Sequence, residues 1–483
     1  MEQLIHQFIG NRWVRSQATR TLPVCDPYRE TQIAEVTVGD ASDVEAAVQA
    51  ARQALPEWSR LPSQRRAAYL EAIAHQLQHR YDELVELSSR NNGKPISEAE
   101  IDLDDAIACY RYYSERAREL DDRQGRPVAL EMDGITASVY QDPVGVVGLI
   151  IPWNFPLVTS AWKLAPALAA GCTVILKPSE IVPLPEQALA EIMLAIDLPP
   201  GVFNLVHGDG ENVGIPLTQH KGIDKLSFTG SNRVGEQVMR AAADGIRNIS
   251  LELGGKSPIL VLDDADVEQA AEWVMNGICF NAGQMCSATS RLIVHSSLAE
   301  PLYALLGEKI DALTLGDPLD RTTSMGPLSG ARQWHAVRNY LAVAKNEQLD
   351  AVRDERHRTL PKQGFFIAPT LYRDVPTTSR LWKEEIFGPV LCARSVSSDQ
   401  DAIALANDSP FGLAATVISG DTQRARGIAR QLQAGNVWYN TDQVAPPQAA
   451  WGGYKASGIG RELGPLGLAA YQETKHVIGP VAH

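Results

Sequence analysis

Short apolar runs, each followed by a helical pattern, recur along the chain and narrow its fold more than any other feature. Val144-Gly145-Val146-Val147-Gly148-Leu149-Ile150-Ile151, Thr173-Val174-Ile175-Leu176, Phe203-Asn204-Leu205-Val206 and Lys225-Leu226-Ser227-Phe228 form one series. Uninterrupted apolar runs of this length suit strands buried on both faces. Strands alternating with helices predict an α/β chain with a doubly wound parallel sheet. A second α/β series begins near Ser257-Pro258-Ile259-Leu260-Val261-Leu262 and continues to about Leu432. Its first helix opens at Asp266, with Gln269 three residues on, a capping-box pattern. Ahead of both series, Ser42 to Tyr113 carries apolar residues at helical spacing. Pro127 to Asp142 alternates and contains Asp133-Gly134, which predicts a hairpin with a tight turn. The last fifty or so residues, rich in glycine, proline and aromatics, are expected to be loops and then an extended tail.

A chain of 483 residues is too long for one core and suits two domains plus an appendage. Its 44 basic and 58 acidic side chains leave a net charge of −14. Such a surface repels nucleic acid and anionic membranes, so a small molecule is the expected partner. The six cysteines are scattered, with no paired or metal-ligand spacing, so neither a disulfide framework nor a metal is expected. With no basic start leading into a long apolar run, a cytoplasmic location is expected.

Each strand of the first series ends in polar residues: Pro152-Trp153-Asn154-Phe155-Pro156, Lys177-Pro178-Ser179-Glu180, Gly208-Asp209-Gly210 and Thr229-Gly230-Ser231. Any one of these is open to a plainer account as turn and cap chemistry. Four on consecutive strands point to a ligand crevice at the carboxyl ends of the sheet. Gly230-Ser231 at a helix start suits a phosphate. Lys177 and Glu180 can bond ribose hydroxyls, and the carboxylate disfavours a 2′-phosphate. The GxGxxG fingerprint is absent. Gly255-Lys256-Ser257 is not the end of a phosphate-binding loop, because Ser250 stands where that loop needs glycine.

Cys286 lies in Asn281-Ala282-Gly283-Gln284-Met285-Cys286-Ser287, after a helix that ends near Phe280. A lone cysteine can be a small core residue. This small, polar context is instead unlike a packed helix, and a helix N-terminus nearby would lower the thiol pKa. Glu252 lies in the apolar stretch Ile249-Ser250-Leu251-Glu252-Leu253-Gly254-Gly255. Buried there, it would have the raised pKa that a general base needs. Strand alternation also permits an exposed position.

With Leu251-Glu252-Leu253-Gly254-Gly255-Lys256, Gly283-Gln284-Met285-Cys286, Glu384-Glu385-Ile386-Phe387-Gly388-Pro389 and Ser457-Gly458-Ile459-Gly460-Arg461-Glu462, the strand-end motifs resemble the aldehyde dehydrogenase superfamily over essentially the whole chain. The resemblance implies a Rossmann-variant NAD-binding domain (residues 1–126 and 143–254) and an α/β catalytic domain (255–432). C-terminal loops (433–468) would return to the active site. A hairpin and tail (127–142 and 469–483) would form an oligomerisation element for a homodimer or a dimer-of-dimers tetramer. It implies that Cys286 attacks the aldehyde, that Asn154 and the Cys286 N–H hold the oxyanion, and that hydride transfer to NAD leaves a thioester. Glu252 would activate the hydrolytic water, and Glu462 would help relay protons outward. The cofactor would be held by Ile151, Trp153, Lys177, Ser179, Glu180, Gly210, Ser231, Val234, Leu253, Glu385 and Phe387.

Cys286-Ser287-Ala288-Thr289-Ser290-Arg291-Leu292, Trp382 to Cys392 and Ala450-Trp451-Gly452-Gly453 resemble the betaine-aldehyde and aminoaldehyde dehydrogenases within that superfamily. Aromatic faces suit a quaternary ammonium and carboxylates a primary one. Phe155, Trp162, Phe280 and Trp451 match that group's aromatic box, with Phe155 in place of a tyrosine and Phe280 in place of a tryptophan. Asp102 and Asp105 match acidic positions at the mouth of the substrate channel; a solvated charge run is the other reading. Ile101 stands where the plant enzymes have an aromatic, and Asn436 replaces a smaller residue. An acidic semialdehyde would call for an arginine in the matched positions, and none is there. A CoA-acylating enzyme has no need of Glu252, and a non-catalytic protein on this scaffold would be expected to lose Cys286, Glu252 or Asn154.

Overall fold

Four consecutive helices precede the parallel strands of the two large sheets: α1 (Ala41–Arg60), α2 (Ser63–His79), α3 (Tyr81–Asn92) and α4 (Ile96–Ala117). The computed structural model that shows them describes residues 3–481; residues 1, 2, 482 and 483, at the ends of the expected domain and tail, lie outside the described residues. Asp40 starts α1 with a full capping box, satisfying N–H groups that no helical carbonyl can reach. Gly93 stops α3 in the left-handed conformation, φ 95°, that glycine adopts without penalty.

The four strands of the first series assemble as expected, joined by a fifth that the series did not include, Asn248–Glu252. In spatial order they are Asn248–Glu252, Lys225–Thr229, Val146–Ile150, Thr173–Lys177 and Phe203–Leu205, all parallel. Antiparallel pieces extend both edges: Gly458–Ile459 on one side, Gln7–Phe8 and Trp13–Val14 on the other. Strand order reverses between Val146–Ile150 and Lys225–Thr229, and a ligand crevice opens at such a switch point. One face packs on α2, α4 and α5 (Pro156–Ala170). The other packs on α1 and the Asn232–Ala243 helix, so the sheet is doubly wound.

A second sheet of seven strands has its own core. Six of its strands run parallel, and Asp350–Arg353 pairs antiparallel at one edge. Its far edge is Asn436–Tyr439, so this sheet runs past the expected limit at residue 432. Asp266 caps the first helix of this unit by accepting from the Gln269 N–H at 2.9 Å.

Two features differ from expectation. The hairpin forms from Arg126–Val128 and Ile135–Pro143, but pairing stops at Val128 and Ala137. Asp133-Gly134 is therefore part of a longer loop and not a two-residue turn. The Val481 N–H donates to the Gly134 carbonyl, drawing that loop toward the tail. The tail, Gln472–Pro480, pairs antiparallel along all of Ile135–Pro143. Secondly, Gln3–Ile5, Thr21–Asp26 and Thr31–Thr37 make a small sheet ahead of α1 that no sequence signal foretold. No helix among the described residues is long and apolar enough to cross a membrane.

Candidate active site

Cys286 is presented by a strained turn. After the Val267–Cys279 helix the chain passes through Asn281, Ala282 and Gly283 at φ 47°, 52° and 74°, three left-handed residues in succession. Non-glycine residues hold this conformation at a cost of about 1–3 kcal/mol each and need support from their surroundings. The Glu98 carboxylate accepts from the Asn281 N–H at 2.8 Å, and the Asn281 amide donates to the Asn154 carbonyl at 2.9 Å. Gln284 Nε2 donates to the Asn281 carbonyl at 3.0 Å, and its own Oε1 accepts from the Ser329 N–H at 3.0 Å. Gly283 is obligatory: a Cβ there would lie 2.3 Å from the Gly388 carbonyl oxygen. The result is a half-buried thiol on a fixed loop.

Asn154 ends the central strand's loop and is 4% exposed. Its amide donates to the Gln284 carbonyl at 2.9 Å, two residues before Cys286. A carboxamide has two N–H bonds. One ties Asn154 to the thiol loop and leaves the other for a ligand oxygen.

No helix begins at Cys286, so the expected lowering of its thiol does not occur. Burial pushes it up to about 12, with Glu385 and Glu252 adding to the effect. The Ser287 and Cys286 backbone N–H groups act the other way. Alkylation by iodoacetamide needs the thiolate. Its rate at Cys286 is expected to climb from about pH 7 to about pH 10 without levelling; a plateau in that range contradicts the burial effect.

Glu252 closes its strand 4% exposed, and neither carboxylate oxygen has a hydrogen-bond partner in the structure. Burial pushes its carboxyl well above the usual range, Glu462 adds to this, and Lys163 and Arg461 oppose it. Gly452 keeps space beside it, since a Cβ there would lie 2.9 Å from Oε1. Glu462 exchanges backbone hydrogen bonds with Trp451 and forms a buried ion pair with Lys163 of α5. Ser227 Oγ lies 3.0 Å from Lys163 Nζ and 3.2 Å from Glu462 Oε1. The sequence reading missed Lys163, although one lysine in the apolar helix Pro156–Ala170 was a legible signal.

The strand-end residues line the switch-point crevice. Lys177 is buried, with Nζ 3.7 Å from Glu180 Oε2. Burial lowers its pKa. Ser179 caps its turn, accepting from the Ile181 N–H at 3.3 Å. Gly210 begins a π-turn, Gly210–Gly214, capped by Asp209. Ser231 starts the Asn232–Ala243 helix without spending its hydroxyl on the cap, and the buried Thr229 hydroxyl beside it has no partner. Val234, in that helix, and Leu253 belong to the same apolar core, and Gly235 lets the helix close on Leu253, since a Cβ there would meet Leu253 at 2.5 Å. Ile151 is buried at the end of the central strand. Trp153 meets Phe387 edge to face at 5.4 Å, and Phe387 itself is left-handed at φ 59°. Glu385 accepts from the Gly255 N–H at 3.0 Å, and burial pushes its carboxyl up to about 7. Free hydroxyls at a helix start beside a buried lysine and a carboxylate fit a dinucleotide with an unphosphorylated ribose.

The four aromatics resolve into two pairs along the first half of α5. Phe155, the N-cap, stacks on Phe280 with centroids 5.9 Å apart and planes 13° apart. Trp162 lies 5.2 Å from Trp451, which also meets Trp438 at 6.1 Å. One face of Phe155 already carries a cation, Lys94 Nζ, 4.1 Å from the ring centroid. Asp102 is neither at a channel mouth nor on a solvated face. Its side chain is fully buried, pairs with the buried Lys94 at 3.1 Å and accepts from the Val158 N–H at 3.1 Å. A buried carboxylate must be paired, and Lys94 with the start of α5 meets that need. Asp105 does reach solvent. Neighbouring protein desolvates it, and with Asp102 and Asp104 pushes its carboxyl up to about 6. Ile101 beside it is exposed. Asn436 pins the C-terminal loop: it donates to the Ala450 carbonyl at 3.2 Å and accepts from the Gly452 N–H at 3.3 Å.

A nucleotide crevice on one sheet, facing a loop-borne thiol and a buried carboxylate, defines a class: α/β enzymes that join dinucleotide binding to covalent thiol chemistry. Residues 13–477 match the aldehyde dehydrogenase family, and the chain belongs to it. It is 43% identical to a peroxisomal aminoaldehyde dehydrogenase 2 of Malus domestica, over 97% of this chain and 94% of that one. It is 42% identical to betaine aldehyde dehydrogenase 1 of Oryza sativa subsp. japonica, with the same coverage. Among solved structures it resembles betaine aldehyde dehydrogenase from Staphylococcus aureus in complex with NAD+ (TM-score 0.95, 37% identity, 98% of this chain and 94% of that one). It also resembles the NAD+ complex of an aldehyde dehydrogenase from Bacillus cereus (TM-score 0.96, 37% identity, 99% and 97%).

Proposed function

We propose that this protein oxidises betaine aldehyde or an ω-aminoaldehyde to the carboxylic acid with NAD, through a thioester on Cys286. The carrying observation is the single hydrogen-bonded unit of Asn154 and the Cys286 loop, with Glu252 close enough to raise the thiol pKa. Cys286 Sγ adds to the aldehyde carbon as its thiol proton is given up to solvent. The second Asn154 N–H and the Cys286 N–H steady the oxygen as it gains charge. When bound, NAD supplies the hydride acceptor. Glu252 then takes a proton from the water that cleaves the thioester and frees the thiol. Lys177, Ser179, Glu180, Gly210 and Ser231 would hold the adenosine and phosphates. Ile151, Trp153, Val234, Leu253, Glu385 and Phe387 would hold the rest of the cofactor.

Two aromatic pairs at α5 and the exposed carboxylate of Asp105 on α4 support a cationic substrate. The net charge of −14 favours a small cation over anionic polymers or surfaces. In a kinetic panel with NAD, kcat/KM for betaine aldehyde or 3-aminopropanal is expected to exceed that for a carboxylate semialdehyde by at least about tenfold. The reverse order contradicts the substrate reading. The paired tail strand exposes Val477 and Ile478, a surface that suits a second copy of the chain in a dimer or tetramer. Six free cysteines support a reducing compartment such as the cytoplasm.

A further inference from the structure

Met285, Cys286, Ser287 and Ala288 form a turn, closed by the Ala288 N–H donating to the Met285 carbonyl at 3.0 Å. Cys286 and Ser287 are its two central residues, so the Ser287 N–H belongs to the central peptide of the turn. The closing hydrogen bond is compatible with either orientation of that peptide, since type I and type II turns differ by its reversal. Reversal needs a positive φ at Ser287, and the chain already holds Asn281, Ala282 and Gly283 in that conformation just upstream. The orientation matters to the thiol, because the Ser287 and Cys286 N–H groups lower its pKa against burial. At the other end of the same peptide, the Cys286 carbonyl abuts Gly255, where a Cβ would lie 2.6 Å from its oxygen.

The bonds that Glu98, Asn154 and Ser329 make to the thiol loop all fall before Cys286. After it, Gln443 of the C-terminal loop grips Ser287 at two points. Ser287 Oγ donates to Gln443 Oε1 at 2.8 Å, and Gln443 Nε2 donates to the Ser287 carbonyl at 3.4 Å. A carboxamide suits this task because it carries an acceptor and a donor side by side. Ser287 is buried and Gln443 half-buried. Gln443 is itself fixed. Its N–H donates to Asp442 Oδ1 at 2.7 Å, and Asp442 Oδ2 accepts from Asn276 of the Val267–Cys279 helix at 2.7 Å. The next carbonyl, of Val444, accepts from Trp438 Nε1 at 3.0 Å.

We propose that Gln443 is a positioning residue for Cys286: by gripping Ser287 at its hydroxyl and its carbonyl, it keeps the central peptide of the turn facing the thiol. Gln443 acts through Ser287 and takes no part in bond making. Further on, the same loop carries Trp451, so one segment sets both the thiol and the Trp162–Trp451 pair. The inference rests on Cys286 being the nucleophile.

The test uses three variants of the full-length enzyme: Gln443→Met, which keeps the length and removes both bonds, Ser287→Ala, which removes one, and Gln443→Glu. The readouts are the rate of the first-turnover NADH burst and the aldehyde concentration that half-saturates it. Gln443→Met is expected to slow the burst by about tenfold and Ser287→Ala by less, with half-saturation and NAD affinity within about twofold of the parent. Gln443→Glu supplies the signature: a carboxylate has no donor for the Ser287 carbonyl, and a carboxylic acid has one. Its burst rate relative to the parent is expected to rise as pH falls from about 8 to about 6, and Gln443→Met shows no such recovery. An unchanged burst rate in Gln443→Met overturns the proposal, and a raised half-saturation beside it would make Gln443 a substrate contact instead. Equal slowing in the Met and Glu variants at every pH also overturns it, since that would mark a merely structural role. If Cys286→Ala keeps its activity, the thiol reading fails whatever Gln443 does, so the two failures are distinguishable.

Discussion

Cys286→Ala is expected to bind NAD as the parent does and to oxidise aldehyde on the order of 10⁵-fold more slowly. The thiol is the strongest nucleophile on its loop, and most of the groups that would hold the cofactor lie at the strand ends of the other sheet. Removing one sulfur atom from a loop held by Glu98, Asn154 and Ser329 leaves those hydrogen bonds in place. Calorimetric titration with NAD and a turnover assay on the same preparation separate the two effects. Residual oxidation above about a hundredth of the parent rate would mean that another nucleophile does the work.

Glu252→Gln divides the reaction differently. The amide matches the carboxyl in shape but accepts no proton from water. A burst of about one NADH per active site is expected, followed by a steady state slowed by about 10³-fold. The pH dependence has a definite sign. Burial and the Glu462 charge hold the Glu252 carboxyl well above its ordinary value, so it is protonated at low pH and becomes a base as pH rises. Deacylation should therefore accelerate with pH in the parent and lose that slope in the variant. A variant that keeps the slope would place the base elsewhere.

How much of this was legible depended on whether a feature was local. Val146–Ile150, Thr173–Lys177 and Pro258–Val261 announced themselves as apolar runs, because burial on both faces leaves no room for polar alternation. Glu252 and Cys286 stood out because each breaks the character of its surroundings. Asp102 was misread because its partner, Lys94, sits in the loop before α4, and a charge cluster looks the same whether one member is solvated or buried. The left-handed turn at Asn281 and Ala282 is set by tertiary contacts with Glu98 and Asn154, which no local propensity encodes. The far edge of the second sheet, Asn436–Tyr439, was hidden because a four-residue strand after a glycine reads as loop.

The thioester on Cys286 is the claim on which the rest depends. Glu252→Gln mixed with aldehyde and NAD, quenched in acid after one turnover and digested, permits a mass measurement on the peptide carrying Cys286. The predicted result is a gain equal to the aldehyde less the hydride and the proton, on that peptide alone. NADH formed with that peptide unmodified, or the same gain on a peptide carrying another cysteine, would contradict it.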